Sequence, residues 1–462
     1  MMPAILSLAW PTMLEQLMQT AVQYIDTAMV GTLGTEATAA VGSTTTVNWL
    51  VGSTVSAIGV GFLAFISQAM GRGEEERARA AVSQAVMVTL AVGIFSTALC
   101  LSLSPVIPAM MQVEESIRSL ASTYFFILYT PMLARCATII FGTVLRASGD
   151  TKTPMIASIF VNVANVILNF FLIYESREAE IFSLRIWIPG AGLGVIGAAI
   201  ASAIAFLLGG IIITVSLYRH PTLSPRGRSI KPDKTILIPC FKVAAPNALQ
   251  RFATSLGYVV FAAAVNSLGG AATAAHTVAN TVESAFYIPA YGMQTAAATL
   301  AGRAYGAKNK DELKDLSKMA LTIEIALMIA SGALLFALAP AMVGLFSKDA
   351  AVIALAVTVL RMVALSEVPY GFSIIVEGMM QGMGRTTLPF ITNVIGMWLV
   401  RIVGTYISIG FFEGDLISAW GFMILHNLSL FTVYLTLYIS GKWNPMKRYP
   451  NIPQSDKEIY EE

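Results

Sequence analysis

The sequence has little charge: Asp, Glu, Lys and Arg make up only 12% of its 462 residues, against roughly 25% in soluble domains. Apolar residues make up 56%. Because so few charges cannot hydrate the surface of a soluble protein of this length, we predict an integral membrane protein in a lipid bilayer. The formal net charge of +2 provides no basic surface for nucleic acid, which is excluded as the main ligand.

Cysteine and histidine are also scarce, with three residues of each type. Cys100, Cys136 and Cys240 lie far apart in apolar sequence, so they form neither a disulfide framework nor a zinc-binding spacing. No metal site and no cofactor are expected. An Asp-rich diphosphate motif and a His/Asp pair at catalytic spacing are missing too, which argues against an intramembrane enzyme such as a prenyl or acyl transferase.

Apolar runs of membrane-spanning length recur along the chain between short polar interruptions. A bilayer core of about 30 Å needs roughly 20 helical residues, and these runs are too long and continuous for barrel strands. The sequence therefore predicts twelve transmembrane helices. Their expected limits are 4–31, 38–66, 79–104, 119–144, 153–174, 191–217, 236–266, 273–301, 317–343, 352–381, 387–412 and 416–440.

The Lys and Arg residues are unevenly distributed between the loops. The loops after even-numbered spans, together with the C-terminal tail, carry 21 of them, and the loops after odd-numbered spans carry 4. Basic residues are retained on the cytoplasmic side of a membrane. Both termini are therefore predicted to be cytoplasmic, in a multi-pass protein of the plasma (inner) membrane.

The two halves of the chain repeat each other at an offset of 235 residues, which brings Pro11 onto Pro246. Other residues keep this offset through five helices: Gly34 with Gly269, Gly71 with Gly306, Pro105 with Pro340, Gly149 with Gly384 and Pro154 with Pro389. After the fifth helix the register slips by 11 residues, because the first half carries an extra polar loop around YESREAEIFSLR. Six spans per half is an even number, so the repeat is parallel.

The predicted fold is therefore all-α and integral to the membrane, with twelve transmembrane helices in two parallel six-helix lobes related by a pseudo-two-fold axis. Its expected segments are an N-terminal lobe (1–218), a cytoplasmic linker (219–235), a C-terminal lobe (236–441) and a cytoplasmic tail (442–462). Two lobes around a central site are typical of alternating-access transport. Duplication for packing alone is the alternative.

Polar side chains follow one face of two helices in the first half. They are Glu15, Gln19, Gln23 and Asp26 on helix 1, and Asn162, Asn165 and Asn169 on helix 5. Because a charge at membrane depth is costly, Asp26 is predicted to alternate between protonated and ionised forms. The alternative is a carboxylate held permanently by an asparagine or by Arg135. The asparagines have a packing alternative as well, since amides commonly bond neighbouring helices.

Helix 8 carries the polar stripe of the second half. Its members are His276, Asn280, Glu283, Tyr287, Tyr291 and Gln294. We predict a substrate cavity lined by Glu15, Gln19, Gln23, Asn162, Tyr287, Tyr291 and Gln294. By their similar depth on neighbouring helices, Arg251 and Glu283 are predicted to form a structural ion pair. Structural pairing is also favoured for the other charges at depth: Arg361, Glu367, Glu377 and Arg401.

Several segments resemble the multidrug and toxic compound extrusion (MATE) family. They are YIDTAMVGTLGTEATAAVG, ISQAMGRGEEERARA and VLRASGDTKTPM in the first half, echoed by APNALQRFATSLG, LAGRAYGAKNKDEL and MQGMGRTTLP in the second. The resemblance covers essentially the whole chain. It implies a V-shaped pair of lobes that exports amphipathic, often cationic, organic compounds in exchange for protons or sodium.

The resemblance also assigns roles to particular residues. Asp26 matches the family's helix 1 acid, which carries the coupling ion, and Pro11 matches the proline at which that helix bends to gate the site. Asn165 matches an asparagine of the same ion site. Asn169 departs from the family, since many relatives have an aspartate there, and this loss of charge makes H⁺ a better coupling ion than Na⁺. The helix 10 acid of one branch is not matched either, because Pro369 is followed by Tyr370.

The expected function is therefore a cation-coupled antiporter for small amphipathic molecules, driven by protons through Asp26 and acting as a monomer. A lipid-linked precursor flippase of the same superfamily is the nearest alternative. Such a flippase needs a strongly cationic cavity, whereas the first lobe offers only Arg135 at depth.

Overall fold

The structure is a computed structural model that describes residues 2–111, 113–181 and 184–448. Each predicted span is occupied by a helix or a bent pair of helices, because backbone polar groups in lipid must be satisfied within their own segment. The first half contains α1 (Met2–Gly31), α2 (Thr35–Gly71), α3 (Glu75–Leu103), α4 (Ile107–Met110), α5 (Glu115–Tyr129), α6 (Met132–Ala147), α7 (Lys152–Ile173) and α8 (Gly194–Arg219).

The second half repeats this arrangement. It contains α9 (Lys234–Asn266), α10 (Gly270–Gly306), α11 (Lys310–Phe346), α12 (Ala350–Ala364), α13 (Glu367–Gly382), α14 (Thr387–Ile395), a π-helical stretch (Gly396–Ile402), α15 (Val403–Phe412) and α16 (Leu416–Ile439). The predicted linker lies between the end of α8 and the start of α9. Of the predicted tail, residues 449–462 lie outside the described residues.

In the described part of the chain, eight helical spans are long and apolar enough to cross a membrane. Two bent pairs, α5 with α6 and α12 with α13, raise the number to ten. The remaining predicted spans are α1 and α10, which are 30 and 37 residues long. Both helices carry a polar face, and they pack against each other where the lobes meet.

Glycines recur at equivalent positions of the two halves because the backbone there adopts positive φ angles. Gly34 and Gly269 have φ angles of 112° and 101°, and Gly149 and Gly384 have 89° and 78°. These angles strain residues with a side chain. The same tight turns therefore end equivalent helices in both lobes.

The fourth and the tenth predicted spans are each broken into two helices, again at equivalent positions. α5 and α6 meet at Pro131 with a bend of 49°, and α12 and α13 meet at Ser366 with a bend of 54°. These two residues are 235 positions apart. The bend is thus part of the repeated architecture.

The extra polar loop of the first half is a β-hairpin. β1 (Glu175–Ile181) pairs antiparallel with β2 (Leu184–Ala191), with Glu178 opposite Trp187. Polar residues alternate with apolar ones along this segment, a strand pattern that the prediction of a plain loop missed. The hairpin delays the start of α8 to Gly194.

The lobes also share apolar contacts. The first turns of α1 place Ile5, Leu8 and Ala9 in one buried cluster with Met293 and Ala297 of α10. Across the pseudo-two-fold axis, Val60 and Ala64 of α2 pack on Val243 of α9. The interface is therefore built from equivalent helix pairs, α1 with α10 and α2 with α9.

Candidate functional site

Two asparagine side chains of α7 contact the Asp26 carboxylate of α1. Asn169 Nδ2 donates to Asp26 Oδ1 at 2.6 Å. With its amide turned so that the nitrogen faces α1, Asn165 donates to the same oxygen at 2.9 Å; in the other orientation it donates to Ser202 Oγ of α8 at 3.3 Å. The structure thus brings together the three residues predicted for ion coupling.

No ion pair to Asp26 is formed among the described residues. Arg135, which the sequence offered as a permanent partner, donates instead to Asn48 Oδ1 at 2.5 Å and stacks on Phe206 at 4.9 Å. The Asp26 carboxylate is therefore bonded by neutral amides only, in a partly buried position.

Asn162 lies one turn before Asn165 on α7. It is partly buried, and its Nδ2 has no hydrogen-bond partner within the described part of the chain. An amide donor without a partner can be offered to a bound molecule, as the predicted cavity requires. Asn162 is not joined to Asp26 by any bond in the structure.

Glu15 does not line a cavity as predicted. It is only 5% exposed, and Arg146 Nη2 of α6 donates to Glu15 Oε1 at 2.5 Å and Oε2 at 2.7 Å. The sequence placed Arg146 in a cytoplasmic loop, but it belongs to the last turn of α6 and reaches back into the lobe. A buried, two-point ion pair of this kind leaves Glu15 little capacity to bind cargo.

The other α1 residues differ in exposure. Gln19 and Gln23 are both exposed, and Gln19 Nε2 donates to Glu15 Oε1 at 3.4 Å. Pro11, predicted to gate the site, is buried inside the continuous α1 helix. The next residue, Thr12, donates through Oγ1 to the Gly292 carbonyl of α10 at 2.9 Å. The proline therefore lies beside a contact between the lobes.

Three tyrosines form a cluster in the second lobe. Tyr291 and Tyr370 hydroxyls are 2.9 Å apart, and the Tyr287 ring packs edge-on against both neighbouring rings. Tyr287 and Tyr291 are partly buried, which fits the predicted cavity lining. Gln294 does not: it is 9% exposed, and its Nε2 donates to the Ile374 carbonyl of α13 at 3.2 Å.

The predicted ion pair between Arg251 and Glu283 is not formed among the described ion pairs. Arg251 Nε donates instead to Asn247 Oδ1 on its own helix at 2.9 Å. The prediction rested on equal depth in the membrane. Depth does not fix the direction in which a side chain leaves its helix.

Glu377 is satisfied by amides rather than by a cation. Gln250 and Gln381 donate to its Oε1 at 2.8 and 2.9 Å, and Asn393 donates to its Oε2 at 3.0 Å. The Tyr434 hydroxyl donates to the same oxygen at 3.5 Å. These donors come from four different helices, so the carboxylate joins most of the second lobe.

The ends of α2 and α10 close the lobes against each other, in what we call the interlobe seal: Gln68, Gly71, Arg303 and Gly306. Gln68 Nε2 donates to the Gly382 carbonyl of α13 at 3.0 Å. Its equivalent Arg303 donates to the Ser148 carbonyl at the end of α6. Gly71 packs on the Arg303 carbonyl and Gly306 on the Gln68 carbonyl, leaving no room for a side chain.

The MatE family model matches residues 11–171 and 246–407. The "Probable multidrug resistance protein NorM" of Thermotoga maritima is 26% identical over 439 residues, which cover 95% of this chain and 92% of that protein.

Two solved structures superpose on 97% of the chain. "Crystal structure of MATE in complex with MaL6" has a TM-score of 0.89 at 22% identity and covers 97% of both chains. A "MOP superfamily transporter from Pyrococcus furiosus", described by "reverse polarity of binding pocket", has the same TM-score, identity and coverage. The fold predicted from the sequence is confirmed by these likenesses. Since the family model matches corresponding parts of both lobes and more than half of the chain, this protein belongs to the MatE family of transporters and is not an enzyme.

Proposed function

We propose that this protein is a proton-coupled antiporter that exports amphipathic, often cationic, organic compounds. The observation that carries the proposal is the environment of Asp26: a partly buried carboxylate in the last turns of α1, bonded by Asn165 and Asn169, with no ion pair among the described residues. Nothing there fixes its charge permanently. The group is free to exchange a proton when the site is open to water.

The bonds of Asp26 supply a mechanism for coupling. An ionised carboxylate accepts hydrogen bonds from both amides, whereas a protonated one loses part of this capacity. Protonation therefore changes how α1 packs on α7. A proton and a cargo molecule that stabilise different packings compete, and each drives the release of the other.

The composition of the site favours H⁺ over Na⁺. A sodium ion is held by several oxygen ligands with net negative charge, and Asp26 is the only carboxylate among the three residues brought together here. Asn169 contributes a neutral amide at the position where the family resemblance led us to expect an acid. A proton needs a single carboxylate, which Asp26 provides.

Efflux rather than lipid flipping is favoured by the state of the basic residues. A cavity for anionic precursors needs free cationic side chains, but Arg135 is bonded to Asn48 and Arg146 to Glu15. The name of the Thermotoga maritima relative points to multidrug resistance. The Pyrococcus furiosus transporter is described by a binding pocket of reverse polarity. The fold alone therefore does not determine which cargo is transported. We further propose a monomer in the plasma membrane with both termini cytoplasmic.

Transport by inside-out vesicles tests the proposal. A fluorescent cationic dye should accumulate under an imposed pH gradient, acid inside, at fixed Na⁺, and a Na⁺ gradient alone should drive little uptake. Asp26→Asn should lower the pH-driven rate to the level of empty vesicles, while the protein inserts normally. Wild-type rates in Asp26→Asn, or an absolute need for Na⁺, would overturn the proposal.

Placing an acid at residue 169 tests which ion the site couples to transport. Asn169→Asp places a second carboxylate beside Asp26 and should confer Na⁺-dependent transport, because the site then carries charge enough for that ion. Asn169→Ala is the matched control, since it removes the same amide without adding charge. Equal Na⁺ responses in both variants would show that the charge of residue 169 does not select the ion.

A further inference from the structure

A groove lies where the end of α8 meets the linker between the lobes. Its volume is about 370 Å³, and its lining residues are Thr214, Val215, Tyr218, Arg219 and Arg226. The first four lie in the last two turns of α8, and Arg226 belongs to the linker. None of these five residues is acidic. The groove therefore combines an apolar wall with a basic rim, and it lies outside the Asp26 site.

One face of α8 leads directly into the groove. Its apolar side chains are exposed and recur every three or four residues: Ile204, Leu207, Ile211 and Val215. Residues at this spacing share a helix face, and Tyr218 and Arg219 continue the same face. An exposed apolar face of a membrane-spanning helix contacts lipid, and Tyr and Arg at its end are typical of the boundary between hydrocarbon and headgroups. The groove therefore lies at the level of the lipid headgroups.

The linker is held against the end of α8, so the position of Arg226 is fixed. Leu223 is fully buried in the core of the first lobe. Ser224 Oγ donates to the Tyr218 carbonyl at 2.8 Å, and Arg79 Nε of α3 donates to the Ser224 carbonyl at 3.3 Å. The backbone N–H of Arg226 donates to Ser224 Oγ at 3.4 Å. Both walls of the groove are therefore parts of the folded first lobe.

The two arginines of the groove differ from their neighbours in having no acidic partner. Four nearby arginines are paired: Arg72 and Arg77 with Glu74, and Arg79 and Arg228 with Glu76. Arg219 and Arg226 are exposed, and neither is in an ion pair within the described part of the chain. Two guanidinium groups in one groove without a carboxylate favour an anion with several oxygens, such as a phosphate group.

The second lobe closes the equivalent place with its own side chains. After the slip of 11 residues the halves correspond at an offset of 224, which brings Thr214 onto Tyr438 and Arg219 onto Trp443. The Trp443 and Tyr438 rings stack with their centroids 5.5 Å apart, and Trp443 is only 5% exposed. Arg385 donates to the Trp443 carbonyl at 3.3 Å and holds this turn in place. The first lobe has no aromatic pair at these two positions and leaves the groove open to a ligand.

We propose that this groove binds one anionic phospholipid of the leaflet on the linker side of the membrane. Arg219 and Arg226 contact its phosphate, and an acyl chain follows the exposed apolar face of α8 past Val215. A free phosphate ion uses the basic rim alone, whereas a lipid uses the rim and the apolar face that leads into it. Basic pockets at the ends of membrane-spanning helices bind anionic headgroups in this way. The site goes beyond the proposed transport function and does not depend on it.

Lipid binding to the purified protein tests the proposal. Native mass spectrometry should show one phosphatidylglycerol molecule retained per chain in preference to phosphatidylcholine, which has no net charge. The double variant Arg219→Gln/Arg226→Gln should weaken phosphatidylglycerol binding about tenfold or more, since each arginine attracts the phosphate. Equal retention of the two lipids by the unmodified protein would overturn the proposal.

The matched control is the double variant Lys231→Gln/Lys234→Gln. Both lysines are exposed and belong to the same basic segment, but they lie outside the groove. This variant removes the same charge as the arginine variant and should weaken binding about twofold at most, because the lost charges act only at a distance. An equal loss in the two double variants would mean that the segment attracts lipid by its net charge alone, which would overturn the proposed site.

Two further measurements separate the groove from its charge. Thr214→Tyr copies the second lobe and keeps both arginines, so it should fill the groove and weaken phosphatidylglycerol binding. Unchanged binding in this variant would show that the lipid does not enter the groove. Inorganic phosphate at the concentration of the lipid should not displace phosphatidylglycerol from the unmodified protein. Displacement would overturn the lipid assignment, because the phosphate group alone would then be recognised.

Thermal unfolding in detergent checks that a loss of binding is not a loss of folding. Because Arg219 and Arg226 are exposed and unpaired, Arg219→Gln/Arg226→Gln should unfold at about the wild-type temperature in the absence of lipid. A ligand that binds only the folded state raises the Tm. Added phosphatidylglycerol should therefore raise the Tm of the unmodified protein more than that of the variant. Equal stabilisation of both proteins would overturn the proposal.

Discussion

In the first lobe Arg146 neutralises the buried Glu15, whereas the second lobe has Gln250 and Gln381 at the two equivalent positions. There both glutamines donate to Glu377, whose own equivalent is Gly142. One lobe therefore satisfies its carboxylate with a cation and the other with neutral amides. The duplicated helices are retained, while the chemistry that joins them differs.

The acidic groups at depth differ in the same way. Asp26 has Phe261 as its equivalent, and Glu324 has Thr89. The turns and bends, in contrast, recur at the same offset, as in Gly34 and Gly269. Backbone geometry is thus shared between the lobes because each fold depends on it, and ionisable groups are not shared because each site needs them only once.

The largest expected effect comes from breaking the ion pair of the first lobe. Arg146→Gln strands the buried charge of Glu15 and should destabilise the protein by about 3–5 kcal/mol. Glu15→Gln combined with Arg146→Gln copies the second lobe at both positions and should recover most of that loss. Thermal unfolding in detergent, followed by helical circular dichroism, measures both variants. Additive losses would show that the pair contributes no coupling.

A smaller effect is expected at the interlobe seal, where the lobes are alike. A methyl group in Gly71→Ala or Gly306→Ala overlaps a carbonyl oxygen of the other lobe. Overpacking of this kind costs about 1–3 kcal/mol, so each variant should shift the ratio of closed to open molecules about tenfold. Spin labels at Arg72→Cys and Ala307→Cys, which are equivalent positions, report the distance between the helix ends.

The control for Gly71→Ala and Gly306→Ala is Gly42→Ala on α2, where nothing lies within 4 Å of the added methyl group. The label distances should be unchanged in that variant. Because the seal is symmetric, Gly71→Ala and Gly306→Ala should open it equally. A large difference between them would mean that one lobe alone holds the contact.

The smallest effect is expected for Arg251 and Glu283. Since they form no ion pair in the structure, the losses of stability in Arg251→Ala and Glu283→Ala should add within about 0.5 kcal/mol in the double variant. The same thermal unfolding assay measures all three proteins. A coupling energy well above about 0.5 kcal/mol would show that Arg251 and Glu283 do form the predicted ion pair.

The spans, the repeat and the grouping of Asp26 with Asn165 and Asn169 could be predicted from the sequence. Length and hydropathy are enough to identify a span, because a chain in lipid has to satisfy its backbone hydrogen bonds internally and therefore forms a helix or a closed barrel. Residues three or four apart share a face, so the contact between α1 and α7 followed from two polar faces. The family resemblance supplied the pairing of those faces.

Other features could not be predicted because they depend on side-chain direction across helices. Glu15 was assigned to the cavity, since nothing in the sequence shows that Arg146 turns back into the lobe. Gln294 was assigned there as well, although it bonds α13. Glu324 stands alone in an apolar run, and only the packing of α11 on α13 brings it near Glu367. In the hairpin, the alternation of polar and apolar residues was the signal available.

The interlobe seal has a consequence for the origin of the protein. Each of its two hydrogen bonds runs from one half to a main-chain carbonyl of the other, and each of its glycines packs on a main-chain carbonyl of the other half. This is the geometry of an isologous contact, in which one surface patch binds a copy of itself. An unfused six-helix chain carrying such a patch would close by pairing with a second identical chain. The seal is therefore what a homodimeric ancestor would have needed before gene duplication joined the halves.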